Sequence, residues 1–191
     1  MSEKENGGSS IPRHAPPKGA RTQEQELLYD PNIPTPTHSE LARTMVSKIG
    51  TGTLCTMSTE PDGYPYGSFV TFAILEGNPI FLISSLAEHT KNLTASSKSS
   101  LLVAEAGEGN PLALGRVTLI GDCSRLSDGE VDSARIEFLE KHESASFYVD
   151  FKDFHFYRLQ VSSVRYIGGF GRMSWVDEQS WFEAEPDPLS P

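Results

Sequence analysis

A polar stretch at residues 84–93 carries the side chains in this sequence best suited to hold a phosphate. An apolar run ends there and a predicted helix begins, and a helix N-terminus offers free backbone N–H groups and a partial positive charge. The side chains that would add donors or charge are Ser84, Ser85, His89, Thr90 and Lys91. The spacing of Ser85 and Glu88 is also that of a capping box, so an ordinary capped helix is the alternative, and spacing alone favours it.

A second candidate lies at residues 64–72, where an aromatic strand contains Gly67 and the small hydroxyl of Ser68. Glycine within a strand often marks the close approach of a ligand or of another backbone. A β-bulge at a barrel corner is the alternative and is favoured on local grounds. Arg116 is a third candidate, since a charge on an apolar strand face needs a bound anion, an interface carboxylate or access to solvent.

Histidine and cysteine spacing predicts no metal site. The five histidines are His14, His38, His89, His142 and His155, and no two have zinc-ligand spacing. His155 shares a predicted strand face with apolar residues, which indicates a core or interface role. Cys55 and Cys123 are predicted to be buried reduced thiols, although a single disulfide between them remains open.

Charge and hydropathy exclude two classes of partner. The formal net charge is -10, and an acidic chain is unsuited to nucleic acid, which requires a basic field. No apolar run reaches about 18 residues, so no membrane span is predicted. The acidic start at residues 1–5 lacks the apolar segment of a signal peptide, so we expect a cytoplasmic protein.

Composition divides the chain into three segments. Residues 1–35 are rich in Pro, Gly, Ser and charge and are expected to form a flexible arm. Residues 36–175 hold the predicted folded domain. Residues 176–191 form an acidic tail, of which Trp181 and Phe182 indicate that part packs.

Alternating apolar runs in the middle segment predict a mainly β (α+β) fold, an antiparallel barrel of six strands with short flanking helices. The predicted strands are Thr53 to Thr59, Tyr66 to Leu75, Ile80 to Ser84, Leu101 to Ala106, Leu112 to Leu126 and Phe154 to Ile167. Three capping-box pairs mark the predicted helix starts: Thr37 with Glu40, Ser85 with Glu88, and Ser127 with Glu130.

Five segments together resemble the FMN-binding split-barrel superfamily, which is pyridoxamine 5'-phosphate oxidase-like. They are residues 62–68, 86–93, 99–103, 148–154 and 168–172. Each is weak alone, but their order and spacing are similar to the branch that contains the HugZ-type haem oxygenase-like proteins and related plant chloroplast proteins. The resemblance covers roughly residues 39–175 and implies a split β-barrel.

The resemblance also implies a homodimer that holds FMN at the subunit interface. Carried over by position, the isoalloxazine edge would be lined by Ser68, Phe69, Val70 and Thr71. The ribityl-phosphate would lie near Ser84 and Ser85, with Thr90 and Lys91 as the phosphate-binding pair and His89 beside them. Arg116 would come from the second subunit, and Tyr166 and Arg172 would lie near the flavin and the substrate pocket. On this ground the phosphate interpretation of Thr90 and Lys91 replaces the simple helix cap.

Several positions depart from the true oxidases. Those enzymes carry arginine where Ser68 and Thr90 stand here, and their Arg-x-His becomes Arg172-Met173-Ser174. Oxidation of pyridoxamine phosphate is therefore not expected. No histidine follows His155, so an axial haem ligand from a C-terminal tail is not expected either.

Three functions are compatible with the sequence. The first is an FMN-dependent oxidoreductase acting on an unidentified small molecule, with no catalytic residue assigned. The second is a haem-binding or haem-degrading protein of HugZ type, with His155, His89 or Arg172 as the residues to test. The third is a non-catalytic regulatory or interaction domain, and fold alone does not choose among them.

Overall fold

The described residues form one antiparallel sheet of eight strands with four α-helices. The fold is described from a computed structural model, which covers residues 35–169 and 171–187. The strands are β1 (Thr51–Thr59), β2 (Asp62–Thr71), β3 (Ala73–Leu75), β4 (Asn78–Ser84), β5 (Lys98–Ala104), β6 (Gly115–Arg125), β7 (Phe154–Gly168) and β8 (Met173–Asp177). The helices are α1 (His38–Lys48), α2 (Glu88–Ala95), α3 (Val131–Lys141) and α4 (Glu178–Glu183).

The long strand β7 organises the sheet. The strands lie in the order β2-β1-β5-β6-β7-β4-β3, and β8 also pairs with β7. The first part of β7 pairs with β4 and its last part pairs with β8, while β6 pairs with it along most of its length. Beyond β7 the sheet therefore divides into two branches, one through β4 and one through β8. The sheet also curls, so that β2 at its other end approaches β4.

The inner face of the sheet carries the core, because apolar residues alternate along each strand. Leu54, Leu101, Leu119 and Val164 lie on this face and are buried. Helices α1 and α4 close the core, and Trp181 of α4 is fully buried, as the sequence suggested for part of the C-terminal segment. A second cluster lies where α3 packs against the sheet, around Phe138.

The opposite surface of the sheet, here called the outer face, is exposed. One row of paired residues crosses six strands and consists of Phe69, Thr53, Leu102, Thr118, Arg165 and Trp175. Phe69 is 76% exposed and Trp175 is 63% exposed. The Arg165 guanidinium lies over the Trp175 ring, 5.4 Å from its centroid, and Met173 on the same face is also exposed.

The predicted mainly β split-barrel class is confirmed, although two strands more than the predicted six are present. The predicted strand from Tyr66 to Leu75 is divided at Phe72, whose backbone N–H donates to the Gly50 carbonyl 2.8 Å away instead of continuing the ladder. Strand β8 was not predicted from the sequence. The Gly168 N–H at the end of β7 donates to the Arg172 carbonyl, 2.8 Å away, directly before β8 begins.

Two of the three predicted capping boxes are confirmed, at Thr37 with Glu40 and at Ser127 with Glu130. The box at Ser85 is wrong, since α2 begins only at Glu88 and has Ala87 as its N-cap. The Ser85 N–H donates instead to the Asp153 carbonyl, 2.7 Å away, which keeps this residue outside the helix.

Other expectations meet the structure in part. Cys55 and Cys123 are free thiols, and burial raises the pKa of Cys123 to about 12. None of the helices in the described ranges is long and apolar enough to cross a membrane. The expected arm at residues 1–35 lies outside the described residues except for residue 35, and cytoplasmic location stays a prediction.

Candidate functional site

A cleft of about 350 Å³ lies at the seam where β2 approaches β4. It is called the seam cleft below, and its lining residues are Phe69, Val70, Thr71, Leu82, Ile83, Ser84, Ala87, His89 and Phe154. Most of these side chains are apolar, and the polar groups come from the end of β2, the end of β4 and the start of α2. An apolar cleft with a few placed polar groups is typical of a small-molecule site.

His89 is the polar ring of the seam cleft. Its Nδ1 lies 3.1 Å from the Ser68 hydroxyl, which in turn donates to the Leu54 carbonyl at 3.3 Å. Its Nε2 is buried, and no described residue forms a hydrogen bond with it. Burial lowers the pKa of His89, so the ring is held neutral at pH 7.

Hydrogen bonds within the fold hold the turn between β4 and α2. The Ser84 hydroxyl donates to the Asp153 carboxylate at 2.7 Å and accepts the Leu86 N–H at 3.1 Å. The Thr90 hydroxyl is buried and donates to the Ser84 carbonyl at 2.7 Å. These contacts fix the position of His89, which lies in the same turn of α2 as Thr90.

The other two residues of the predicted phosphate site lie at the surface. The Lys91 side chain is 57% exposed and pairs with Glu88 at 3.1 Å. Ser85 is exposed, and neither Lys91 nor Ser85 lines the seam cleft. The hydrogen of the Thr90 hydroxyl is engaged inside the fold, so a phosphate here would depend on backbone N–H groups and Lys91.

The remaining predicted site residues lie elsewhere in the chain. Tyr166 is buried on the inner face beneath the His38 ring, with the ring centroids 5.1 Å apart, and burial raises the pKa of its phenol. It lines a separate cavity of about 500 Å³ beside α1. Arg116 lies on the outer face, paired with Ile167 across the strands, and Arg172 is exposed in the connection before β8.

One subunit therefore assembles part of the predicted site. The residues brought together at the seam are Ser68, Phe69, Val70, Thr71, Ser84 and His89. Sequence reasoning did not identify the pairing of His89 with Ser68, nor the apolar wall formed by Leu82, Ile83 and Phe154. The signal for that wall was present, because Phe154 closes one of the segments that carry the family resemblance.

Residues 34–183 match the family described as "CREG, beta-barrel". The noncanonical heme oxygenase HOZ of Arabidopsis thaliana chloroplasts is 43% identical over 156 residues, which are 79% of this chain and 48% of the relative. This chain thus spans about half the length of that curated relative.

Two solved structures give the same fold. The heme binding protein of Mycobacterium smegmatis is 38% identical, with a TM-score of 0.77 over 82% of this chain and 64% of that one. A FAD-binding protein of Mesorhizobium loti is 17% identical, with a TM-score of 0.52 over 63% of this chain and 84% of that one. At that identity the second comparison shows the fold alone.

Proposed function

The chain belongs to the CREG β-barrel family, and from that premise we propose that it binds haem in the seam cleft, with Nε2 of His89 as the ligand of the iron. The observation that carries the proposal is that Nε2 of His89 is buried and unpartnered, while its neutral imidazole belongs to a residue that lines an apolar cleft. A buried polar atom without a partner costs about 1–3 kcal/mol, and a ligand that supplies the partner recovers that cost.

The histidine fits a haem iron in two respects. Iron is bound by the lone pair of a neutral imidazole nitrogen, and the lowered pKa of His89 favours that form. A ligating histidine usually has its other ring nitrogen held by a hydrogen bond, as Nδ1 of His89 is held by Ser68.

The walls of the cleft are apolar, as the body of a porphyrin is. Phe69 and Phe154 contribute aromatic rings, and Leu82 and Ile83 contribute buried aliphatic surface. Apolar walls exclude water from the bound group, while the propionates would require cations. Arg172 is exposed and Arg116 is half-exposed, and a guanidinium group is suited to recognise a carboxylate.

Homodimerisation through the outer face would bring such cations to the cleft. This face presents Phe69, Met173 and Trp175 as exposed apolar residues, and Arg116 lies among them on β6. Phe69 also lines the seam cleft, so a second copy on the outer face would border the site. A two-fold interface repeats each contact, so each subunit could supply Arg116 to its partner's cleft.

Haem, when bound, would supply an iron centre for oxygen chemistry, and the name of the plant relative extends the proposal to oxidative haem breakdown. The contribution of this chain is to hold the iron through His89, to exclude water with the aromatic walls and to bind the propionates. Turnover is measured separately, as loss of the haem absorbance when a reductant and oxygen are supplied.

FMN in the same cleft is the second candidate, as part of a flavoprotein oxidoreductase. The observation in its favour is that the start of α2 borders the cleft at Ala87 and His89, where helix N–H groups suit a phosphate. The engaged Thr90 hydroxyl and the Glu88–Lys91 ion pair weigh against it. A protein that binds neither group would instead fit a non-catalytic interaction domain.

Absorbance titration of the purified chain with hemin, and separately with FMN, tests the proposal. We expect saturable hemin binding with a Soret band that is lost or shifted in His89→Asn and kept in the matched control His155→Asn. An unchanged titration of His89→Asn would reject His89 as the ligand. Tight FMN binding that is weakened in Lys91→Ala would favour the flavin candidate over haem.

A further inference from the structure

We infer that Ser68 is a positioning residue that holds His89 in the tautomer with the proton on Nδ1, which leaves Nε2 with a free lone pair. The inference rests on the proposed function for its consequence in haem binding, but the tautomer itself is a property of the free protein. It assigns to Ser68 a role different from direct contact with a cofactor.

The direction of the hydrogen bonds follows from the groups available. The Leu54 carbonyl can only accept, so in the 3.3 Å contact the Ser68 hydroxyl is the donor. A serine hydroxyl has one hydrogen, so toward His89 its oxygen is left to accept. In the 3.1 Å contact Nδ1 of His89 is therefore the donor, and a neutral ring with a proton on Nδ1 has none on Nε2.

The opposite tautomer is the less favourable one. It would place an N–H group on the buried Nε2, where no described residue could accept it. Buried N–H groups without a partner are rarer than unpartnered acceptors. It would also turn the Ser68 hydroxyl toward Nδ1, which removes its bond to the Leu54 carbonyl.

The arrangement links three elements of the fold. Ser68 lies on β2 directly opposite Leu54 of β1, and His89 lies on α2. The Thr90 hydroxyl and the Ser84 carbonyl fix α2 against the end of β4. The ring is thus held from the strand side by Ser68 and from the helix side by the turn.

Nitrogen-15 NMR of the unligated protein, labelled at histidine, tests the tautomer without haem. His142 is an internal reference, because its Nε2 lies 2.8 Å from the Phe72 carbonyl and must carry a proton to donate to it. We expect a protonated Nδ1 and a bare Nε2 for His89, in contrast to the protonated Nε2 of His142, with signals assigned by His89→Asn and His142→Asn. A protonated Nε2 on a neutral His89 would overturn the inference.

Ser68→Ala and Ser68→Thr supply the second readout. Ser68→Ala removes the acceptor, so we expect the tautomer ratio to shift and hemin affinity to fall by about 10–100-fold, the usual effect of losing such a partner. Ser68→Thr keeps the hydroxyl and should restore both. If the tautomer shifts in Ser68→Ala while hemin affinity does not, the inference stands and His89 ligation fails. If neither changes, Ser68 has no positioning role.

Discussion

The Thr90 hydroxyl lies 2.7 Å from the Ser84 carbonyl oxygen and is buried with the side chain, only 3% of which is exposed. The family resemblance placed Thr90 at a phosphate. The structure shows its hydrogen used within the chain to fasten α2 to the end of β4, which sets the position of His89 one residue earlier.

Removal of this hydrogen bond should destabilise the fold. Thr90→Val keeps the shape of the side chain but leaves the Ser84 carbonyl without this donor, and we expect a loss of about 1–2 kcal/mol in the free energy of unfolding. Urea denaturation measures it. The neighbouring exposed change Lys91→Ala should cost no more than about 0.5 kcal/mol. Equal stability of Thr90→Val and the parent would show that the bond contributes nothing.

Gly121 is required by the backbone of the neighbouring strand. The β6–β7 register shifts between Ile120 and Gly121, and a Cβ at Gly121 would overlap the carbonyl oxygen of Gln160. Gly121→Ala should therefore lower the free energy of unfolding by about 2 kcal/mol or more, because the backbone must move. Gly129→Ala is the matched control, since nothing lies within 4 Å of its added carbon. Equal melting curves for the two variants would contradict this account.

The outer face should control the oligomeric state. Trp175→Glu places a charge among the exposed apolar residues of that face, and we expect a dimer to dissociate to monomers in sedimentation velocity. Phe147→Glu is the control, because Phe147 is 81% exposed but lies outside the sheet, before β7. A parent that sediments as a monomer, or a Trp175→Glu variant that stays dimeric, would reject this interface.

His155 should make stability depend on pH. Burial, followed by the charge of Arg125, lowers the pKa of His155, while Asp153 acts in the opposite direction. The unfolded chain then binds the proton at a higher pH than the folded chain. Stability is therefore lost as the pH falls from about 6.5 toward the folded pKa.

Arg125→Gln removes the positive charge that, after burial, lowers the pKa of His155. Because the ring stays buried, its pKa should rise only part of the way toward its usual value. Proton NMR titration of His155 measures that pKa, and urea denaturation over the same pH range measures the slope. An unchanged pKa in Arg125→Gln would show that Arg125 does not act on the ring.

Local chemistry explains which elements the sequence predicted. The capping boxes at Thr37 and Ser127 depend on residues three apart, so spacing is enough to identify them. At Ser85 the same spacing failed, because the Asp153 carbonyl takes its N–H from a distant part of the chain. The spacing of nearby residues does not indicate when a distant carbonyl competes for the same N–H group.

The site was predictable only in part for the same reason. The resemblance identified both Ser68 and His89, but their contact joins residues 21 apart, and it depends on how the sheet curls and on where α2 begins. The burial of Tyr166 beneath His38 likewise follows from the packing of α1 on the sheet. Neither the contact of Ser68 with His89 nor that of Tyr166 with His38 has a signature in the sequence.

Electron–nuclear double resonance of the ferric haem complex reports whether Nε2 of His89 ligates the iron. With histidine labelled by nitrogen-15, we predict an imidazole nitrogen coupled to the iron in the parent protein and in His155→Asn, and no such coupling in His89→Asn. A coupling that persists unchanged in His89→Asn would contradict the account, because another group would then be the ligand.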